Sequence, residues 1–168
     1  MKFSIYILFL FIGFVFFSCN NNDTEPLIEA DIQAEREDQI IQQYLAENNL
    51  TAQAQKTDLG IYYIVLEEGE GTVISNDGAS VVVNYEGSVL YGRQFDSSYE
   101  RGEPLTFTIG AGSVVAGFNE AVKQMKRQEK TLFFIPSRYA YGQQGISSSS
   151  GEVIPPFATL VFEIRREI

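Results

Sequence analysis

From Ile61 onward the apolar residues of this chain recur at every second position, and that change of period constrains the fold more than any other feature. Ahead of it, from Leu27 to Asn48, Ile28, Ile32, Ile40, Ile41, Tyr44 and Leu45 stand among Glu, Asp, Gln and Arg at helical spacing. The stripe is interrupted at Glu35-Arg36-Glu37, so the spacing allows one imperfect helix or two pieces, with Asn48-Asn49 as the stop. Past it, Ile61–Leu66 spells a strand that runs into Glu67-Glu68-Gly69-Glu70-Gly71. Ser80–Leu90 is β-branched and aromatic and ends at the turn Tyr91-Gly92. Leu105–Ile109 alternates apolar residues with threonine, as a strand with one buried face does. Thr131–Ile135 and Ala158–Ile164 complete the strands. Within this region Phe118, Ala121, Val122 and Met125 alone keep helical spacing, opposite Glu120, Lys123 and Gln124. The expected fold is α+β: an antiparallel β-sheet wrapped around a short amphipathic helix, behind an N-terminal helical extension. That extension is expected to lie against the domain or act as a spacer. A dimerisation or partner-binding helix is the sharper alternative, and its seam is too broken for a coiled coil.

Composition removes whole classes of chemistry. The 168 residues contain no histidine, which rules out histidine triads, histidine-ligated zinc and imidazole bases together. One cysteine, Cys19, leaves no internal disulfide and no thiolate cluster. A net charge of −10 with 12 Lys and Arg makes nucleic acid an unsuitable partner. Any activity must rest on carboxylates, tyrosines, hydroxyls, backbone groups or shape.

The first residues read as an address. Lys2 precedes an apolar run from Ile5 to Phe17, shorter than the roughly 20 residues a membrane span needs. The run suits a signal-peptide core, and Ser18-Cys19 follows it directly. This resembles a bacterial lipoprotein signal in which Cys19 is acylated, although Phe16 stands where Leu is usual and Phe17 is bulkier than usual. An ordinary cleaved signal is the alternative. The expected organisation is a signal peptide over 1–18, a polar tether over 19–26, a helical extension over 27–56 and a globular domain over 57–168. The expected location is the bacterial cell envelope, at the outer membrane on its periplasmic or surface side, held by lipid at Cys19.

Six segments then occur in order: Val83-Asn84-Tyr85-Glu86-Gly87, Phe95-Asp96-Ser97-Ser98, Gly117-Phe118-Asn119-Glu120-Ala121, Ala140-Tyr141-Gly142, Ile154-Pro155-Pro156 and Thr159-Leu160-Val161-Phe162. Together they resemble the FKBP-type peptidyl-prolyl cis/trans isomerases, over about Gly60 to Ile168. The helical lead-in is similar to that of lipoproteins of this family and of its gliding-motility-associated relatives. The resemblance implies an FKBP-like fold and catalytic roles for Tyr85, Asp96 and Tyr141. It places Phe95, Leu105, Val114, Val115, Phe118, Ile154 and Phe162 on the substrate, and pairs Arg101 with Asp96. It also implies that the Val115 N–H and the Tyr141 hydroxyl bond substrate carbonyls. Two positions depart from the best-known eukaryotic members: Phe118 stands for Trp at the base, and Leu105 for an aromatic wall residue. The segment Gln143–Glu152, with four consecutive serines, is about four residues longer than in the short members, and its composition predicts mobility.

Such a cup needs no cofactor and no metal. An X–Pro bond isomerises over a barrier of about 18–20 kcal/mol, and a dry pocket that grips the twisted amide lowers it without a covalent step. The expected substrates are proline-containing exported polypeptides, with a macrolide as a further ligand. The competing readings are a non-catalytic binding module and a structural lipoprotein working through the 27–48 helix. Each residue also has a plain alternative: Phe95, Phe118 and Phe162 as ordinary core, Asp96 as the cap of a turn formed with Ser97-Ser98.

Overall fold

The computed structural model describes residues 25–74, 76–149 and 151–168. Residues 1–24, which hold the expected signal segment, Cys19 and most of the expected tether, lie outside the described residues. Helix α1 runs unbroken from Glu25 to Glu47, so the lead-in is one helix and begins before the expected boundary at Leu27. Pro26 is compatible with that start, because the first helical turn has no use for its missing N–H. Among the described residues no helix is long and apolar enough to cross a membrane.

Strands β1 (Gln55–Lys56), β2 (Tyr62–Glu67), β3 (Ser80–Val89) and β4 (Gln94–Ser97) come next, then the single turn α2 (Ser98–Arg101) and β5 (Leu105–Thr108). Helix α3 (Ala116–Lys123), β6 (Lys130–Ile135), a 3-10 turn over Ser137–Tyr139, β7 (Ile146–Ser148), β8 (Gly151–Ile154) and β9 (Leu160–Arg166) complete the chain. The main sheet is ordered β1-β2-β6-β9-β3-β4, with β5 paired to the first half of β3. All of its pairings are antiparallel. The five strands expected from alternation are all present. The four short ones, β1, β4, β7 and β8, carry too few alternations to stand out. Across the serine-rich segment Gln143–Glu152, where the sequence offers no strand alternation, β7 and β8 pair as a hairpin, with Ile146 opposite Ile154. Backbone pairing does not require apolar side chains, and Ile146 packs on the core at the base of the hairpin.

Period two makes the sheet serve two cores. Val81, Val83 and Tyr85 of β3, Phe133 and Ile135 of β6, and Leu160, Phe162 and Ile164 of β9 face α3 and pack on Phe118, Ala121 and Val122. The alternate residues Tyr62, Ile64 and Phe134 form a second cluster with Leu90 and with Ile41 and Leu45 of α1. Burying side chains of this kind is worth about 1.5–3 kcal/mol each. The helix is thus docked on the back of the sheet rather than held away as a spacer.

Polar contacts fix where it docks. Tyr62 Oη donates to Asp38 Oδ1 at 2.9 Å, and Lys56 Nζ reaches the same oxygen at 2.5 Å. These partners outweigh the opposing effect of burial, the largest single influence, and leave the Asp38 carboxyl below its ordinary pKa. Tyr44 packs edge-on against Tyr91 at 5.2 Å, and Tyr91 Oη donates to Glu47 Oε2 at 2.6 Å. That bond pushes the exposed Tyr91 phenol up to about 12. Glu37, in the interruption of the apolar stripe, is itself buried and accepts from Ser137 N and Ser137 Oγ, each at 2.6 Å.

Candidate functional site

The aromatic residues of the front face meet because one position carries no side chain. Gly87 of β3 sits where a Cβ would come 2.6 Å from Phe162 Cε1 and 3.0 Å from Phe95 Cζ. With hydrogen there, Phe95 and Phe162 approach edge-to-face with ring centroids 5.8 Å apart. Phe118 in turn packs on Phe162 at 5.1 Å, Tyr85 at 5.3 Å and Phe107 at 5.8 Å. Edge-to-face rings at these separations gain about 0.5–1.5 kcal/mol per pair beyond area burial. The four rings Tyr85, Phe95, Phe118 and Phe162, with Leu105, Val114, Val115 and Tyr141, wall a cavity of about 210 Å³. Asp96 and Ser113 complete its lining.

The rim is polar and tightly ordered. Tyr85 Oη donates to Asp96 Oδ2, and Arg101 Nη1 donates to Asp96 Oδ1. Arg101 Nη2 donates to Tyr85 Oη at 3.1 Å, and its guanidinium lies 5.4 Å from the Tyr85 ring centre. Both oxygens of Asp96 are therefore held in one orientation. Burial, and then the bond to Asp96, raises the Tyr85 pKa; burial, and then the nearby Asp96 charge, raises that of Tyr141. Both phenols remain neutral donors across the physiological range.

The turn after Asp96 does not depend on it. Ser97 is the N-cap of α2 and accepts from Glu100 N at 3.3 Å, while Gly102 closes the turn in the left-handed conformation. Ser98, fully buried, accepts from Tyr85 N at 2.8 Å and so ties α2 to β3. The alternative in which Asp96 only shapes the turn thus loses its hydrogen bond to Ser97. The Asp96–Arg101 pair is exposed on both sides, at 38% and 40%, and such pairs stabilise a fold by only about 0–1 kcal/mol. Asp96→Asn should accordingly lower the melting temperature by no more than about 4 °C. A large drop in Tm would return the residue to a structural role.

The start of α3 opens on the same cavity. Val115 is its N-cap, with extended backbone (φ −60, ψ 147) and no side-chain cap bond. The first N–H groups of a helix lack intrahelical partners and suit an incoming carbonyl. Of the residues singled out in the sequence, the cavity gathers Tyr85, Phe95, Asp96, Leu105, Val114, Val115, Phe118, Tyr141 and Phe162. Arg101 stands behind Asp96 at the rim. Ile154 does not line the cavity: it is 1% exposed and packs within the core. Ser113 was not anticipated; an exposed serine in a loop carries no pattern, and its only sequence cue is that it precedes Val114. Among the described residues no group of three or more acidic or cysteine side chains could hold a metal ion.

The family model for FKBP-type peptidyl-prolyl cis-trans isomerase matches residues 71–165. Over 104 residues the chain is 41% identical to FK506-binding protein 1A of Neurospora crassa, covering 62% of this chain and 83% of that one. It is also 41% identical over 105 residues to the isomerase FkpA of Escherichia coli, of which those residues span 36%. Among solved structures, AtFKBP13 superposes with a TM-score of 0.61 at 31% identity, covering 67% of this chain and 95% of that one. Escherichia coli FkpA superposes with a TM-score of 0.64 at 30% identity, covering 88% of this chain and 70% of that one. This second match extends beyond the sheet domain into the leading segment.

Proposed function

The chain belongs to the FKBP-type peptidyl-prolyl cis-trans isomerase family, and from that membership we propose that the Phe118 cup turns X–Pro bonds of exported polypeptides. The observation that carries this reading is the oriented Asp96 at the mouth of a cavity walled by five aromatic rings, Tyr85, Phe95, Phe118, Tyr141 and Phe162. The rings hold a pyrrolidine by burial and exclude water. The open N–H groups at the start of α3 and the Tyr141 hydroxyl take the flanking carbonyls. Twisting an amide withdraws the nitrogen lone pair from the carbonyl and leaves the carbonyl carbon more positive. A carboxylate already held beside it favours that state without reorganising. The reaction breaks no covalent bond, so it asks no nucleophile of the site.

A fragment from Asp23 to Ile168 should accelerate isomerisation of short X–Pro peptides in a protease-coupled assay without metal or nucleotide. Rates at background with micromolar protein would sink the reading. In the same assay Asp96→Asn should lower kcat/KM about tenfold, equivalent to about 1.4 kcal/mol of transition-state stabilisation. Wild-type turnover would remove the charge from the mechanism. A macrolide is a further ligand of the same cup, with a fit altered by Leu105 and Phe118.

The run from Ile5 to Phe17 ahead of Ser18-Cys19 supports a lipid anchor at Cys19, a place among the lipoproteins of the family and its gliding-motility-associated relatives, and a site of action at the outer membrane. Each buried CH₂ of an acyl chain contributes about 0.8 kcal/mol, so a multiply acylated cysteine holds firmly. Cys19→Ser should leave an unprocessed precursor and abolish labelling by a fatty-acid analogue; unchanged labelling would refute the anchor.

A further inference from the structure

Ser137 is held at both ends of its backbone. Its N–H and its hydroxyl both donate to Glu37 of α1, a residue 100 positions earlier in the chain, at 2.6 Å each. Gln33, one turn back on the same helix, donates to Glu37 Oε1 at 2.8 Å. The Ser137 carbonyl accepts from Ala140 N at 2.8 Å and from Gly142 N at 2.9 Å, the two residues that flank Tyr141. Glu37 and Ser137 are 3% and 2% exposed, so water cannot replace either partner without opening the interface. A fully buried carboxylate in a docking interface is costly unless several donors meet it, and here three do. Leu or Ile at position 37 would serve adhesion alone.

We propose that Glu37 is a positioning residue for catalysis, acting through Ser137 to set the direction in which Tyr141 presents its hydroxyl to the cavity. The proposal rests on Tyr141 as a donor to substrate and adds what aims it. The chain of contacts is short: Glu37 fixes the first residue of the 3-10 turn, that residue fixes Ala140 and Gly142, and Tyr141 lies between them. Helix α1, on the far side of the sheet from the cup, thereby takes part in the reaction. Breaking the clamp would leave the aromatic rings in place while Tyr141 loses its alignment, and a misplacement of this kind acts on turnover rather than on ring binding.

The test is a double-mutant cycle in the full-length chain with Glu37→Ala, Tyr141→Phe and the pair, reading kcat and KM well below the lowest melting temperature. Tyr141→Phe keeps the ring and removes the hydroxyl. Glu37→Ala alone is expected to lower kcat about tenfold with little change in KM, and to cost less than about twofold once Tyr141 is Phe. Glu37→Gln, which keeps one accepting oxygen, should fall between. Equal losses in both backgrounds would overturn the proposal, since a merely structural Glu37 weakens both alike. Wild-type turnover in Tyr141→Phe alone would instead overturn the role of Tyr141, and the proposal with it. Should Glu37→Ala fail to fold, Ser137→Ala removes one of the two clamped donors and passes through the same cycle under the same criterion.

Discussion

Phe118→Ala is expected to cost roughly 3–5 kcal/mol of stability and nearly all turnover. The ring is 3% exposed, sits between Tyr85, Phe107 and Phe162, and forms the base of the cavity. Its removal deletes transfer energy, opens a void in the front core and lets three neighbouring rings drift. Phe118→Leu separates the two effects, since it restores much of the volume and none of the flat face. Denaturant unfolding should recover most of the stability in Phe118→Leu, while peptide isomerisation stays depressed. If Phe118→Leu isomerised X–Pro peptides at the wild-type rate, the ring would be packing and no more.

Removing α1, by starting the chain at Asn48, is the second change with a large expected effect. Tyr62, Ile64, Leu90 and Phe134 pack directly under Ile41 and Leu45, and all would meet water. At about 1.5–3 kcal/mol for each such side chain, even partial exposure is a sizeable share of the 5–15 kcal/mol that holds a domain together. The truncated chain should melt at least about 10 °C lower and bind a hydrophobic dye at temperatures where the longer chain does not. An unchanged melting curve would reduce α1 to an appendage. Its loss would also unclamp Ser137, so turnover should fall further than the lost stability alone explains.

The two periodicities carried most of the fold, because alternation over five or more residues and one i, i+3, i+4, i+7 helix are strong local signals. The cup residues were legible only through the six ordered segments, since no single phenylalanine differs from a core phenylalanine until others are placed around it. Glu37 was the chief misreading. A glutamate between Arg36 and Asp38 looks like a break in an apolar stripe, and its partner Ser137 lies 100 residues away, where no local pattern reports it. Gly87 was hidden for a similar reason: its role is to be absent between two rings that come from β4 and β9. The β7–β8 hairpin escaped because serine-rich strands pair through backbone alone.

An enzyme that meets unfolded polypeptides runs the risk of being zipped to them. Any exposed strand edge offers a row of backbone donors and acceptors on which an extended client could add itself as one more strand. Here one edge of the sheet is β1, two residues long, beyond which β2 runs on for four residues. The other is divided between β4 and β5, four residues each, which take opposite halves of β3. The pairing of β3 with β4 is broken by a bulge at Gly87/Ser88. None of these edges is long enough to template a stable new ladder, so a passing chain gains little by adhering along the backbone. Contact is left to the side-chain cup, which releases what it holds once the proline has turned.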